Sequence, residues 1–515
     1  MAKEQAHENI ILSDKFMVIR KIRREIIDFE LDRVKSALKE NLKLRDLDQA
    51  TLTSCNQKLL TNLLHNQKFI NAFIRSEKFK IRIWYPMPKD WLQIINKDEK
   101  LANNPICQFL WTVYCLRRIT RFSWQSLVYS TKFLVRFQNK GPDLSILGGK
   151  KFVFVNNYKW PLGEQGKYNF LTWFRLQESV AGKIFIHNNP QIKNSRKVLY
   201  ASSFLFPRSI RIRSNLLFST AAYIYYFMFK YNLKRSLFLS YEDLTLAQCV
   251  KNIEDLEGHH FLFLEDARLD TPIWVHCLLL RNARVIYIEL SQSIEPDCRS
   301  GEQINDDFEK IVAWPEIWTV TKERISYLLK FDVNKNRVFR EVGLPWLTDI
   351  KQYIPRFNGP TIAVFDIEPH KGYFGVSTYN VYGLQRPSFA ITFLSDIVET
   401  ANSLGVRVLL KPKREIKSKR FPEYQKCLNQ LAQNYPFNFL LLDPNTSLKF
   451  IGENSNAIIA TPFTSAIYAG PNTLTHRVYY DPIMSGILSS RNHDFDVILG
   501  KSNLNKWMIN FCGEL

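Results

Sequence analysis

From about residue 150 to the end, the chain alternates short, almost wholly apolar runs with longer stretches in which apolar residues recur every three or four positions. The first series of short runs is KFVFVNN at 151–157, KIFIHNN at 183–189, SLFLS at 236–240, HFLFLED at 260–266 and RVIYIEL at 284–290. Runs this short, β-rich and nearly continuous in apolar character predict strands covered on both faces. Two helices are predicted beside them: TLAQCVKNIEDLEG, ending at Gly258, and KERISYLLKF at 322–331. A second series follows, with TIAVFDI at 361–367, RVLLKPK at 407–413, FNFLLLD at 437–443, NAIIATP at 456–462 and HRVYYD at 476–481. Between its first two members FLSDIVETANSL reads as a helix, with Gly405 as its C-terminal stop. Strands alternating with helices in this way predict parallel sheets.

Residues 1–105 follow a different period. Ile19, Ile22, Ile26, Phe29, Val34, Leu38 and Leu42 recur at spacings of three to five in a charged background, which predicts helix. A structural or oligomerising role is the expectation, and coiled-coil pairing the lesser option because the run is too short for several heptads. The turn-rich GLPW at 343–346 and PRFNGP at 355–360 punctuate the later part. The expected organisation is therefore an α/β protein with a helical N-terminal region, 1–105, and two Rossmann-like domains, 106–348 and 349–515. The two α/β domains are expected to face each other across a cleft.

Composition narrows this picture little. The 515 residues are 46% hydrophobic and 23% charged, which excludes wholesale disorder, and 19 Gly with 22 Pro leave no room for collagen-like sequence. Eight cysteines (Cys55, Cys107, Cys115, Cys249, Cys277, Cys298, Cys427 and Cys512) are scattered without CxxC pairs. They are expected to be reduced thiols in a cytoplasm-like compartment. The N-terminus carries no apolar core behind a basic start, so no signal peptide is expected. The longest apolar run, Leu216 to Phe229, has fourteen residues against the roughly 20 that a membrane span needs. A buried core helix is its plain reading, and a helix resting on a membrane surface the alternative.

Charge changes the picture more. The net charge is +21, and the segment from Leu110 to Ser240 holds 21 Lys and Arg against only Asp143, Glu164 and Glu178. Almost all of the excess sits in a quarter of the chain, which implies an anionic partner. An acidic bilayer, a phosphorylated acceptor and nucleic acid all fit that field, and interleaved aromatics such as Trp111, Tyr114, Phe122, Trp124 and Tyr129 suit a headgroup layer or base stacking.

Ligands of open α/β sheets bind beyond the carboxyl ends of the strands, so the residues that follow each strand carry the chemistry. RVLLKP is followed by a cationic turn containing Lys411, Lys413 and Arg414, suited to a diphosphate or an anionic sugar. NAIIATP runs through Pro462 and Phe463 into Thr464 and Ser465, either of which could cap a short helix ended by Gly470 and Pro471. Hydroxyls and free amides there would form the second wall of one anion site. Asp494-Phe495-Asp496 spells a DxD metal motif but lies too near the C-terminus to serve as one. No HExxH, GxSxG, complete P-loop or strand-linked GxGxxG occurs, and the nine histidines are scattered, so no tightly held metal or cofactor is expected.

The segment TPFTSAIYAG, followed by THRVYYDP, resembles the signature of bacterial polysaccharide-biosynthesis proteins named for their PFTS motif. Its spacing is similar to the donor half of GT-B glycosyltransferases. The Lys411-Pro412-Lys413 turn is similar in place to the His-Pro turn of bacterial sialyltransferases and Kdo transferases, with lysine standing for the histidine. The resemblance implies a GT-B-like, metal-independent glycosyltransferase that moves a sugar from a nucleotide-activated donor to a growing surface polysaccharide or lipopolysaccharide. On that reading Lys411, Lys413, Arg414, Thr464 and Ser465 hold the donor phosphates, with Asp366, Pro462 and Phe463 also in the cleft. The general base is expected to be Glu265 or Asp266, ahead of Asp243 and Glu164, with His259 and His260 as orienting groups. The acceptor is expected to be lipid-linked or an oligosaccharide, and the basic stretch 110–240 to rest on the anionic inner face of the cytoplasmic membrane. Nucleic acid is not the expected partner, and the oligomeric state is open. A CMP-linked ulosonate transferase and a non-enzymatic polyanion-binding protein are the alternatives.

Overall fold

The computed structural model describes residues 47–65, 89–96, 105–135, 151–156, 183–187, 198–200, 209–231, 237–253, 256–264, 271–289, 313–329, 337–343, 357–367, 387–412, 421–444, 446–462, 464–470, 476–484 and 495–514, with a few single positions besides. Two parallel sheets organise it. The first contains β1 (Phe152–Asn156), β2 (Ile184–His187), β3 (Val198–Tyr200), β4 (His260–Phe263), β5 (Arg284–Ile288), β6 (Glu316–Thr319) and β7 (Val338–Glu341). The second contains β8 (Thr361–Phe365), β9 (Arg407–Leu410), β10 (Phe439–Leu441), β11 (Ala457–Ala460), β12 (Arg477–Asp481) and β13 (Asp496–Leu499).

The described helices are α1 (Leu47–His65), α2 (Lys89–Asn96), α3 (Pro105–Val135), α4 (Ile210–Tyr231), α5 (Tyr241–Lys251), α6 (Ile273–Leu279) and α7 (Lys322–Leu329) up to the end of the first sheet. The second sheet carries α8 (Pro387–Ser403), α9 (Pro422–Asn434), α10 (Leu448–Glu453), a short 3-10 turn at Ser465–Ala469 and α11 (Gly500–Glu514).

Strand order in the first sheet is β3-β2-β1-β4-β5-β6-β7, and in the second β10-β9-β8-β11-β12-β13. Counted from the first strand of each, both run 3-2-1-4-5-6, the Rossmann order, and the first sheet adds a seventh strand. Among the described residues every strand pairing is parallel. Both faces of the first sheet are covered: Phe152 and Phe154 of β1 join one core, while Val153 and Val155 join another. That double burial is why these strands lack polar alternation.

The N-terminal helices have a structural role. Ala50 and Cys55 of α1, Trp91 of α2 and Trp111 of α3 belong to the core that covers the first sheet. Gln57 accepts from the Thr271 amide at 3.0 Å beside α6, and Asp48 accepts from Tyr223 of α4 at 2.9 Å. Ile19, Ile22, Val34, Leu38 and Leu42 lie outside the described residues.

Several expectations need correction. Residues 237–239, expected within a strand, are a buried turn, and the Ser240 hydroxyl accepts from the Asp243 amide at 3.2 Å and so starts α5 at Tyr241. That helix ends at Lys251, and Gly258, with φ of +78°, turns the chain into β4. The run Leu216–Phe229 is buried on one face only; Phe218, Tyr225 and Phe229 are exposed on the other. Four strands escaped the sequence pattern: β3, β6, β7 and β13 are three or four residues long, and two of them, VFRE and EIWT, mix charge with apolar residues. Gly405 does end α8, with φ of +67°. Among the described residues no helix is long and apolar enough to cross a membrane, and Cys249, Cys277, Cys427 and Cys512 are free thiols. Burial pushes the Cys249 and Cys277 thiols up to about 12, so both are poor nucleophiles at neutral pH.

Candidate functional site

A Rossmann sheet opens where its strand order reverses, between the first and fourth strands. In the second sheet that point lies between β8 and β11. Ala460 pairs with Phe365 and Val364 pairs with Leu410, so extending the ladder by one residue brings Lys411, Phe365 and Ala460 level across β9, β8 and β11. Lys411 and the segment after β11 are then two strand spacings apart, about 10 Å. A long lysine side chain and a diphosphate can bridge such a span.

The PFTS segment starts at this opening. The Thr461 amide donates to the Phe365 carbonyl at 3.0 Å, and the Thr464 amide returns to the Thr461 carbonyl at 3.2 Å. Ser465–Ala469 then form the 3-10 turn, and Thr464 stands at its N-cap position with extended backbone. The Thr464 side chain makes no capping bond, contrary to one option the sequence left open. A ligand oxygen, in place of the helix, is what that hydroxyl can still serve. Thr464 and Ser465 are half-buried, and Pro462 is buried.

Thr461 was not singled out by sequence reasoning. Its side chain is 1% exposed and its hydroxyl meets no hydrogen-bond partner. A buried orphan hydroxyl costs roughly 1–3 kcal/mol, a deficit often kept where function needs the group. The signal in the sequence was a polar residue ending an otherwise apolar strand.

The shape of the segment is imposed from behind. A Cβ on Gly452 of α10 would stand 2.6 Å from the Ala469 carbonyl oxygen, so only glycine lets α10 approach the 3-10 turn this closely. Arg477 of β12 donates to the Gly470 carbonyl at 3.0 Å and fixes the far end.

Lys411 is half-buried, its amide 3.4 Å from the Val364 carbonyl and its ammonium 3.4 Å from the Pro412 carbonyl. Asp366 does not present a free carboxylate. It is buried and accepts a hydrogen bond from the Tyr424 hydroxyl of α9, another residue sequence reading missed. Asp481, the last residue of β12, is likewise buried and accepts from the Ile483 amide at 3.2 Å.

The first sheet places Leu264 at its opening between β1 and β4. Glu265, Asp266, Glu164, Lys413, Arg414 and Phe463 lie outside the described residues. Asp243 is committed elsewhere, in an ion pair with Lys58 near the start of α5. His259 and His260 do not orient a base after β4. His259 precedes that strand and His260 opens it, at the amino edge of the sheet, where His259 Nδ1 accepts from the Phe152 amide at 3.2 Å and His260 Nε2 lies 3.0 Å from the Lys183 ammonium. Asp496 opens β13 at the amino edge, away from the strand ends where ligands bind. Among the described residues no group of three His, Cys, Asp or Glu is placed to hold a metal.

One polar group at the carboxyl edge of the first sheet is fully sealed. Glu289, directly after β5, accepts from the Thr319 hydroxyl at 2.6 Å and from Arg324 of α7 at 3.1 and 3.3 Å. The Arg324 and Glu289 side chains are 2% and 1% exposed.

A family model described as polysaccharide biosynthesis PFTS motif protein matches residues 223–508, more than half of the chain. No curated protein matches. Among solved structures, α,α-trehalose 6-phosphate synthase from Burkholderia multivorans is 11% identical, covers 70% of this chain and 90% of its own, and gives a TM-score of 0.37. MnaA of S. aureus with UDP is 11% identical over 70% and 87%, with a TM-score of 0.39. The O-GlcNAc transferase of Thermobaculum terrenum is 10% identical over 94% and 90%, with a TM-score of 0.35. Likeness at that level identifies no counterpart residues.

Proposed function

The chain belongs to the PFTS-motif polysaccharide biosynthesis family, and from that premise we propose that it is a GT-B-like glycosyltransferase using a nucleotide-activated sugar. The observation that carries the reading is the opening of the second sheet. There the PFTS segment supplies an uncapped Thr464, a half-buried Ser465 and the orphan Thr461 hydroxyl, and Lys411 stands level with them two strands away. Such a row of donors suits the two phosphates of a nucleoside diphosphate, with Lys413 and Arg414 extending the cationic turn.

The unit of residues 349–515 then binds the donor and that of 106–348 the acceptor, a lipid-linked or free oligosaccharide of a growing surface polysaccharide. The two units face each other across a cleft in this proposal. Glu265 or Asp266, which follow β4 in the sequence, takes the proton from the acceptor hydroxyl, and the phosphate-side donors stabilise the departing nucleotide without a metal. Asp366 acts through Tyr424 to hold α9 against β8, a positioning role.

The test is a thermal-shift screen against UDP, GDP, TDP, CMP and short oligonucleotides. Selective stabilisation by one mononucleotide supports the donor site and identifies the sugar class, CMP pointing to an ulosonate. A ligand at a hundred times its Kd should add about 2.7 kcal/mol. Stabilisation by oligonucleotides alone, lost in salt, contradicts the transferase reading.

A further inference from the structure

We propose that α3 and α4 together form a docking face for the surface of an anionic phospholipid bilayer. Along α3, Phe109, Val113, Leu116, Trp124 and Leu127 are all exposed, at spacings that return to one face of the helix. Along α4, Phe218, Tyr225 and Phe229 do the same. The exposures are large for such side chains: 65% at Trp124, 78% at Phe218 and 70% at Phe229. The opposite faces are used up. Trp111, Cys115 and Phe133 of α3, and Leu216, Leu217, Ile224 and Phe227 of α4, are buried.

The two helices share one support. Both touch α5 and each other. Tyr241 of α5 stands against the Tyr129 ring of α3 at 6.3 Å and donates to the Leu217 carbonyl of α4 at 3.1 Å. Arg213, near the start of α4, donates to the Phe133 carbonyl near the end of α3 at 3.1 Å. Each apolar stripe therefore points away from the same body.

Charge selects the occupant. Neither helix contains an acidic residue. Arg117, Arg121 and Lys132 are exposed on one flank of the α3 stripe, and Arg211 opens the stripe of α4. An apolar stripe with aromatic residues, bordered by cations and free of acids, is the constitution of a helix lying in the headgroup layer of an acidic membrane. The 31 residues of α3 extend about 46 Å, a length that suits lying along a surface. This inference is independent of the transferase chemistry, since the face needs no sugar donor to bind.

Co-sedimentation of the full chain, without nucleotide, tests it. Vesicles of equal parts phosphatidylcholine and phosphatidylglycerol should carry the protein down, and phosphatidylcholine alone should not. Combining Trp124→Ser, Phe218→Ser and Phe229→Ser, or combining Arg117→Glu with Arg121→Glu, should each weaken binding about tenfold or more. All five side chains are exposed, so the melting temperature should hold, and the charge-reversed variant keeps the apolar stripe as an independent check. Failure of the wild type to sediment overturns the proposal, as does sedimentation unchanged in both variants. A dimer that the serine variant breaks, with no lipid binding, assigns the face to a second copy instead. Binding to oligonucleotides that the serine variant retains, with none to vesicles, assigns it to nucleic acid.

Discussion

The two sheets share the order 3-2-1-4-5-6 but finish their strands in different ways. In the first, the carboxylate after β5 is sealed between Arg324 and Thr319, both buried. In the second, Lys411, Thr464 and Ser465 are half-buried, Thr464 makes no capping bond, and the buried Thr461 hydroxyl is unbonded. The same topology thus spends Glu289 on cohesion at one edge, while at the other Asp366 is spent on Tyr424 and the Thr464 hydroxyl is not spent on capping. Strand order locates where a ligand can bind, and the partners of the strand-end side chains decide whether anything is left to bind it.

Breaking the sealed edge should have the largest effect on stability. Glu289→Gln or Arg324→Leu strips one member from a buried pair, which should cost about 3–5 kcal/mol. Thermal unfolding followed by circular dichroism should show an early transition of the first unit, with nucleotide-induced stabilisation of the second retained. Gly452→Ala should cost up to about 3 kcal/mol, because its new methyl group meets the Ala469 carbonyl. Here nucleotide binding should fall together with stability, since the 3-10 turn is displaced.

Acid should also separate the units. His276 on α6 is fully buried, neither ring nitrogen finds a partner, and burial lowers its pKa to about 4. The unfolded chain takes up a proton near 6.5 while the folded one resists until about 4. Stability is therefore present above that window and is lost as pH falls through it. Between pH 7 and 5 the loss should be about 2 kcal/mol, read by chemical denaturation at each pH. His276→Leu should flatten this dependence. The smallest effects on stability belong to the open edge: Lys411→Ala and Ser465→Ala should stay within about 0.5 kcal/mol of the wild type.

Much of this fold was legible in the sequence, for a physical reason. Strands buried on both faces read as apolar runs, so KFVFV, HFLFL, TIAVF and NAIIA declared themselves, and Gly405 marked a helix end through its positive φ. The edge strands β3, β7 and β13 did not, because short strands outside a sheet's centre need no such run. α3 was missed because its stripe of exposed apolar residues confuses the contrast between faces on which helix recognition depends. At the site, Lys411, Thr464 and Ser465 could be chosen from their place after strands. What Asp366 and Asp243 do could not, since Tyr424 and Lys58 are 58 and 185 residues away in sequence. His259 and His260 misled for a related reason: a strand written in letters hides which of its ends meets the ligand.

In the proposed function the opening of the second sheet binds a nucleoside diphosphate. This binding is tested most directly by measuring mononucleotide affinity calorimetrically for the wild type and for the combined variant Lys411→Ala with Ser465→Ala, checking that both melt alike. Loss of two charged or polar contacts to phosphate should weaken binding about tenfold or more at unchanged stability. Equal affinity in the two proteins, for the nucleotide that stabilises the wild type, would place the donor site elsewhere and contradict the account.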